Sequence, residues 1–311
     1  MTSVSTELTD FLAVVSKVVD SAVDGESSLT AMRTSLTETG LLDLARDTAD
    51  EPDALQWLAY TVRTIAQTDP SLAFVLASRY VADRAIDAEA ATEPVFALSV
   101  PGSRPVLAGA LGPDAVVVLD STTTALHVVP WADLAPSADH EARTGLQRAD
   151  LVSVTIPDGA AVLEGSAAEA AFLWDLLTGA ALAGVARRAV SETQSYVLER
   201  HQFGVPIGSF AGLRALVADM DLAVAGVEAA LERALEDRSS IDNLAATAGR
   251  AATSVCIDAI QAHGGYGYID EYPLTGLLRD AIGIQARTGG RRLHVARVAE
   301  RGLGPRTGRH Q

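Results

Sequence analysis

Hydrophobic positions divide the chain into three stretches with different periodicity. Over residues 1–92 apolar side chains recur at helical spacing, and Asp69-Pro70 has the form of an N-cap followed by proline in the first helical turn. Over residues 93–164 the apolar runs are short, β-branched and separated by Pro, Gly and Asp, which is typical of antiparallel strands. Helical spacing returns over residues 165–311. The pattern predicts a mainly α protein in three parts: an N-terminal helical domain, a small, reduced antiparallel β domain in the centre, and a C-terminal helical bundle.

Composition narrows the class of protein. Of the 311 residues 48% are apolar and only 5% are aromatic, so we expect a core of packed helices rich in Ala, Leu and Val. No run reaches the roughly 18–20 uninterrupted apolar residues of a membrane span. Charged side chains interrupt the first twenty residues, which therefore do not have the form of a signal peptide. These features predict a cytoplasmic protein without a membrane segment.

Charge and metal-ligating residue types exclude further classes. The net charge of −16 argues against a nucleic-acid partner, because phosphate backbones require a basic face. The six histidines show no spacing typical of metal ligands, so no metal site is predicted. The single cysteine, Cys256, lies in an apolar helical stretch and is predicted to be a core residue.

The stretch "YVLERHQFGVPIGSF" at 196–210 carries the first candidate chemistry. Arg200 comes at the end of a predicted helix, where a guanidinium can bind a pyrophosphate through two hydrogen bonds. Phe203 offers a flat ring beside it, and Gly204 allows the chain to turn sharply. Taken singly, these residues are better explained as a surface arginine and a core phenylalanine.

The stretch "AIQAHGGYGYIDEYPLTGLLRDA" at 259–281 contains the second set of candidate cofactor-binding residues. Gln261 can donate and accept hydrogen bonds, and Gly264 and Gly265 fall where a helix ends, so both are expected to allow positive φ and the close approach of a cofactor. The alternative is a simple helix C-cap. Because "GGYGY" follows a helix and does not follow a strand, it is not a dinucleotide-binding fingerprint.

The two stretches, in this order, resemble the C-terminal domain of acyl-CoA dehydrogenases, flavoenzymes that introduce an α,β double bond into acyl thioesters. The order of helices, strands and helices matches that family as well. The resemblance is specific over residues 180–300 and partial over 94–165. It implies FAD as the cofactor and an acyl-CoA as the substrate. The cofactor-binding residues that it implies are Arg200, Phe203, Gln261, Gly264 and Gly265.

The catalytic carboxylate of that family is missing from its usual position. In most members a glutamate before a Gly-Thr pair removes the α-proton while the β-hydride passes to the flavin. Here the equivalent position, after the Arg-Asp-Ala element at 279–281, holds Thr288, whose hydroxyl cannot replace a carboxylate. Some relatives carry the glutamate on the helix before the arginine motif, at about Trp174 in this chain. Asp175 beside it is a candidate base, and a salt-bridged helix aspartate is the alternative.

The flavin-holding part of the family pattern is also reduced. "ALSVPGSRP" at 97–105 is a faint echo of the segment that holds the isoalloxazine in the family, and Ala211 replaces a glutamine. In the family FAD lies across a subunit boundary, so that one chain holds the flavin and the base while its neighbour binds the ADP end. This chain retains most of the residues that a subunit contributes to its neighbour's FAD. It lacks most of the residues that would hold a flavin of its own and remove the proton.

The resemblance therefore implies the smaller, base-lacking subunit of a heterotetrameric (α2β2) actinobacterial acyl-CoA dehydrogenase. The implied partner is a full-length homologue that holds the flavin and the catalytic glutamate, and the implied substrate is a bulky or sterol side-chain acyl-CoA. Two alternatives stay open: a flavin-free structural or regulatory homologue, and a self-sufficient enzyme that uses Asp175 as its base.

Overall fold

The chain folds into helices, then strands, then helices again, in agreement with the predicted order. The computed structural model describes residues 5–24, 28–86, 91–140, 144–163, 167–269 and 271–304. The N-terminal helices are α1 (Thr6–Asp24), α2 (Arg33–Glu38), α3 (Leu44–Asp47), α4 (Ala54–Ala66) and α5 (Pro70–Ala85). Helix α5 begins as the sequence predicts, because the carboxylate of Asp69 accepts a hydrogen bond from the main-chain N–H of Leu72 at 3.1 Å.

The central region contains two small sheets. Its elements are β1 (Pro94–Ser99), β2 (Val106–Ala108), β3 (Ala115–Asp120), β4 (Leu126–Pro130), the short helix α6 (Trp131–Leu134), β5 (Leu151–Ser153) and β6 (Ala161–Leu163). One sheet has the strand order β1-β3-β4-β6, and the other pairs β2 with β5. Both faces of the larger sheet are covered, since Val117 belongs to the main helical core and Val116 to a separate β core.

The sheet is not wholly antiparallel, and the prediction was wrong for one pair. Strands β1 and β3 run parallel, whereas β3 pairs with β4 and β4 with β6 in antiparallel fashion. The parallel pair arises because β2 leaves for the second sheet, so that the chain crosses over before it returns beside β1. A burial pattern shows which side chains face the core, and it carries no information on strand direction.

A long central helix organises the rest of the chain. The C-terminal elements are α7 (Ala167–Glu199), β7 (His201–Gln202), β8 (Val205–Pro206), α8 (Ala211–Glu236), α9 (Ile241–His263), α10 (Leu274–Arg287) and α11 (Gly290–Leu303). Helix α7 packs against α4, α5, α8, α9 and α10. By length and composition it could cross a membrane, but 83% of its most apolar window is buried inside the protein, as in a core helix.

One hydrophobic core runs from the N-terminal helices through α7 to α10. Cys256 is fully buried in it, which confirms its predicted role, and burial raises the pKa of its thiol to about 12. The change from helices to strands falls between α5 and β1, and the change back falls between β6 and α7. The division into domains at 1–92, 93–164 and 165–311 stays a prediction, and its second boundary lies at 164–166, outside the described residues.

Candidate functional site

The two sequence motifs meet at one end of the helical bundle. The ring of Tyr196, near the end of α7, stacks on His263 at the end of α9, with 4.0 Å between the ring centroids. The hydroxyl of Tyr196 also donates to the main-chain oxygen of His263 at 3.3 Å. One turn further along, the guanidinium carbon of Arg200 lies 5.2 Å from the ring centroid of Tyr266 in the "GGYGY" segment. The structure thus brings Arg200 to the glycine motif.

Phe203 stands at the tip of a tight hairpin between β7 and β8. The two residues of the turn, Phe203 and Gly204, both have positive φ (53° and 81°), which suits the right-handed twist of the flanking strands. For a bulky side chain that conformation is strained. The ring is 94% exposed, and its only aromatic neighbour in the described part of the chain is Phe210, at 6.3 Å. A strained turn that holds an aromatic ring in solvent is expected at a binding surface.

Polar groups for a cofactor are available on the same surface. Arg200 is exposed and forms no ion pair with any carboxylate in the described ranges. Gln261 is exposed too, and its side-chain amide has no hydrogen bond to another described residue. Gly264 has φ 59° and ψ −134°, a conformation open in practice to glycine alone, and its N–H caps α9 through the carbonyl of Gln261.

The glycines of the motif have different roles. Positive φ was expected at Gly264 and Gly265, and the structure has it at Gly264 alone of the two. A Cβ on Gly265 would meet no atom within 4 Å, so this position faces open space. A Cβ on Gly267 would lie 2.7 Å from the carbonyl oxygen of Ile260, so this glycine is required by packing. Gly267, the third glycine of "GGYGY", is not among the residues predicted from the sequence to have a role.

The two family positions for the base, 174 and 288, lie close together, and neither holds a carboxylate. Thr288 is buried at the end of α10, where its hydroxyl donates to the carbonyl oxygen of Gln285 at 2.9 Å. The indole nitrogen of Trp174 donates to the carbonyl oxygen of Arg287, the residue before Thr288, at 3.2 Å. The ring is wedged between Phe74 and Phe96, with centroid distances of 5.6 and 5.0 Å.

Asp175 is buried against α11. Its Oδ2 lies 3.2 Å from Nη1 of Arg297 and 3.8 Å from Nδ1 of His294. Burial raises the pKa of the Asp175 carboxyl to about 7, and the guanidinium of Arg297 opposes the shift. Because Nε2 of His294 donates to the carbonyl of Thr288 at 2.9 Å, the histidine connects the two candidate base positions. Nothing in the spacing of Asp175, Thr288 and His294 along the chain indicates this connection.

A cavity of about 280 Å³ separates the 97–105 segment from the end of α10. Arg104 and Ser153 line it on the β side, and Ala286 and Arg287 line it on the helical side. The 97–105 segment, which resembles the flavin-holding segment of the family, therefore lies near the turn that contains Thr288. No group of three or more His, Cys, Asp or Glu side chains arranged for a metal ion exists among the described residues.

Sequence comparison identifies the C-terminal part. Residues 175–303 match the family model for the acyl-CoA dehydrogenase C-terminal domain. Acryloyl-CoA reductase (NADH) of Anaerotignum propionicum is 36% identical over 130 residues, 39% of this chain and 32% of that protein. The short-chain specific acyl-CoA dehydrogenase of Clostridium acetobutylicum is 35% identical over 105 residues, 32% of this chain and 28% of that protein. Each match spans about a third of the relative's own length.

Structural comparison extends the likeness to the whole chain. Butyryl-CoA dehydrogenase from Megasphaera elsdenii superposes with a TM-score of 0.76 over 97% of this chain and 100% of that chain, at 16% identity. A glutaryl-CoA dehydrogenase superposes with the same TM-score over the full length of both chains, at 17% identity. The members of this family are FAD-dependent flavoproteins. Residues 175–303 are thus similar to the acyl-CoA dehydrogenase C-terminal domain, and the chain as a whole has the fold of the acyl-CoA dehydrogenase structures on which it superposes.

Proposed function

We propose that this chain is the smaller, base-lacking subunit of a cytoplasmic, heteromeric acyl-CoA dehydrogenase, in an α2β2 assembly with a full-length homologue. The partner holds the flavin ring and the catalytic glutamate, and this chain binds the ADP end of the partner's FAD. The complex acts on an acyl-CoA, of which the bulky or sterol side-chain thioesters are the candidates named by the resemblance.

The observation that carries the proposal is the position of Trp174. The indole of Trp174 packs against Phe74 and Phe96 and donates to the carbonyl of Arg287, so position 174 offers no carboxylate. Position 288 holds a buried threonine. A general base must lie within hydrogen-bond reach of the proton that it removes. Neither Trp174 nor Thr288 has a group that can remove the α-proton, and the partner is expected to supply it.

The exposed surface fits the ADP end of FAD. Arg200 offers a guanidinium without a carboxylate partner in the described ranges, suited to a pyrophosphate, and Phe203 offers an aromatic face. Gln261 offers an amide, and the open space at Gly264 and Gly265 lets another molecule approach the main chain. When bound, FAD supplies the acceptor for the substrate hydride.

The surface around this site is apolar as well, as a subunit interface requires. Large hydrophobic side chains are exposed on the end of α7, the hairpin and α8, namely Leu198, Phe203, Val205, Phe210 and Leu222. Exposed apolar groups that cluster in this way mark protein–protein contacts. The partner is expected to cover this face.

The geometry of Asp175 argues against a self-sufficient enzyme. Its carboxylate is buried and turned toward Arg297 and His294 on α11, so it has no access to a substrate. The flavin-free alternative does not account for the strained Phe203 or for the open space at Gly265. Both features are explained by a ligand that arrives from outside the chain.

Co-expression with a full-length homologue tests the proposal. The chain purified alone should be colourless or poorly soluble, since obligate partners often lack a stable isolated state. The purified complex should be yellow and should hold one FAD for each pair of unlike chains by absorption spectroscopy. An isolated chain with about one FAD per chain would refute the half-enzyme proposal, and a colourless but stable complex would favour the structural homologue.

A further inference from the structure

We propose that α11 docks on α7 with an internal proton transfer, which moves one proton from His294 to Asp175. Both residues are buried, with exposed fractions of 1% and 5%. Nδ1 of His294 lies 3.8 Å from Oδ2 of Asp175, and it has no hydrogen-bond partner in the described ranges. A buried nitrogen atom without a partner, turned toward a buried carboxyl group, requires an explanation that the proposed function does not provide.

The turn before α11 sets the tautomer of His294. Its Nε2 lies 2.9 Å from the carbonyl oxygen of Thr288, which can only accept a hydrogen bond, so Nε2 carries a hydrogen atom. In a neutral imidazole the other nitrogen, Nδ1, is then an acceptor. If Asp175 were ionised beside a neutral His294, two acceptors would face each other inside the protein, which is unfavourable. One proton held by either of them removes this conflict.

Burial decides which of the two atoms holds that proton. A proton on Nδ1 would create a buried imidazolium beside a buried carboxylate, whereas a proton on Oδ2 leaves both side chains uncharged. A buried ion pair offsets its desolvation only with close hydrogen-bonded geometry, and 3.8 Å is longer than a hydrogen bond. Burial accordingly raises the pKa of Asp175 to about 7 and lowers the pKa of His294. The folded protein therefore holds the proton on Asp175.

Beyond burial, two charged side chains act on both members of the pair. The guanidinium of Arg297, which lies 3.2 Å from Oδ2 of Asp175, lowers the pKa of both groups. Asp242, in the first turn of α9, raises the pKa of both. Because each neighbour shifts the two pKa values in the same direction, neither of them decides whether Asp175 or His294 holds the proton. From α10 the pair receives only the carbonyl group described above, and burial outweighs its effect on the pKa of His294.

In the open state, in which α11 has left α7, the same proton lies elsewhere. Both side chains are then in water, where the ordinary pKa values are 3.8 for Asp and 6.5 for His. Between these values His294 is charged and Asp175 is ionised. When α11 docks, the Nδ1–H bond breaks and the Oδ2–H bond forms, so the net charge of the pair stays the same and no proton is exchanged with solvent. Docking should therefore depend little on pH in this range.

Single substitutions should separate the two opposing contributions. In His294→Gln only Asp175 titrates, so the open state releases a proton that the docked state keeps. Opening of α11 should then become easier by about tenfold for each pH unit between pH 5 and 6.5. In Asp175→Asn only His294 titrates, so the open state takes up a proton, and opening should become harder as the pH rises over the same range. The wild-type chain should change by less than about threefold.

Hydrogen–deuterium exchange, followed by mass spectrometry on the full chain alone or in its co-purified complex, measures this opening. The quantity compared is the protection factor of the α11 amides, corrected for the intrinsic exchange rate at each pH. His140→Gln and Asp10→Asn, at exposed positions, are the matched controls and should follow wild type. Peptides from α4 report global unfolding, in which other buried carboxyl groups with a raised pKa, those of Asp83 and Asp280, also titrate.

Opposite pH slopes in the two variants support the proposal. Equal slopes in His294→Gln and wild type would overturn it, and so would a wild-type change of tenfold per pH unit. If a variant fails to fold, ¹⁵N NMR of the histidine-labelled wild-type chain decides: at pH 6 His294 should be neutral and in the Nε2–H tautomer, which distinguishes it from His263, whose Nδ1 donates to the carbonyl of Ala259. A charged His294 would overturn the proposal. Neither measurement needs FAD or turnover, so the outcome is independent of the proposed function.

Discussion

The carboxylate of Asp175 in α7 lies 3.2 Å from the guanidinium of Arg297 in α11, although 122 positions separate the two residues in sequence. This contact fastens the last described helix to the centre of the bundle. The indole nitrogen of its neighbour Trp174 donates to the carbonyl of Arg287, the residue before Thr288. Two adjacent residues at the alternative base position thus have structural contacts in place of catalytic ones.

Asp175→Asn should therefore have little effect on turnover by the complex. A positioned carboxylate base typically contributes about 10²–10⁴-fold in rate. We expect kcat to change only a few-fold in the Asp175→Asn complex, whereas replacing the partner's glutamate with glutamine should abolish turnover. Steady-state assays with matched FAD contents make the comparison. A hundredfold loss from Asp175→Asn, with FAD and assembly intact, would place the base in this chain.

The same variant should change how stability depends on pH. Burial raises the pKa of Asp175 from 3.8 to about 7 in the folded state. A raised pKa contributes stability that is fully present below pH 3.8 and is lost as the pH rises through 7. The free energy of unfolding of the wild-type chain should therefore decrease over that interval, and Asp175→Asn should make the decrease smaller. Urea titrations at pH 5 and pH 8 measure the free energy of unfolding of both proteins. An equal decrease between the two pH values in wild type and Asp175→Asn would contradict the prediction.

Arg200→Ala should weaken the retention of FAD without affecting the fold. A lost charge-assisted hydrogen bond to a pyrophosphate corresponds to about 2–3 kcal/mol. Because Arg200 is exposed and forms no ion pair with a described residue, the melting temperature should stay the same. Arg250→Ala, at an exposed arginine of α9, is the matched control. Equal rates of FAD release from the two variant complexes would show that Arg200 does not bind FAD.

The glycine motif allows a paired test of packing against ligand approach. Gly267→Ala places a Cβ 2.7 Å from the carbonyl oxygen of Ile260 and should destabilise the chain by about 1–3 kcal/mol, as overpacking does. Gly265→Ala meets no atom within 4 Å and should leave stability within about 0.5 kcal/mol of wild type. We expect Gly265→Ala to lower FAD retention in the complex. If it lowers stability as much as Gly267→Ala does, Gly265 has a packing role.

The sequence was sufficient to predict the features that depend on local pattern. The order of helices and strands, the N-cap at Asp69, the helix end at Gly264 and the buried Cys256 all follow from spacing and residue type. The parallel pairing of β1 with β3 does not, since strand direction depends on where the chain crosses over.

The packing around Trp174 could not be predicted either. It requires Trp174 to meet Phe74 from α5, Phe96 from β1 and the carbonyl of Arg287 from α10. These contacts join four separate elements, so no local sequence pattern predicts them. The pairing of Asp175 with Arg297 is similar, because neither residue reveals its partner in sequence. The sequence shows that position 288 holds no glutamate, and the structure adds that Thr288 is buried and bonded to the carbonyl of Gln285.

A rescue experiment asks whether restoring the missing glutamate restores a site in this chain. Thr288 is buried, its hydroxyl donates to the carbonyl of Gln285, and the indole of Trp174 lies against the preceding carbonyl. A glutamate there would be buried beside an aromatic cluster without a partner, which is costly, and it would have no aligned flavin acceptor. Thr288→Glu should therefore lower the melting temperature. In a complex whose partner carries glutamine for glutamate, it should fail to restore turnover.

Thr288→Val is the control for that experiment, since it removes only the hydroxyl and its hydrogen bond, at a cost of about 1 kcal/mol. Its complex with the unaltered partner should retain near-normal kcat, because Thr288 touches no reacting atom in the proposed assembly. Thermal unfolding and steady-state turnover, measured on the same preparations, separate loss of folding from loss of chemistry. Recovery of FAD-dependent turnover by Thr288→Glu in the glutamine-bearing complex would show that this chain has a competent site of its own, and the half-enzyme assignment would then be wrong.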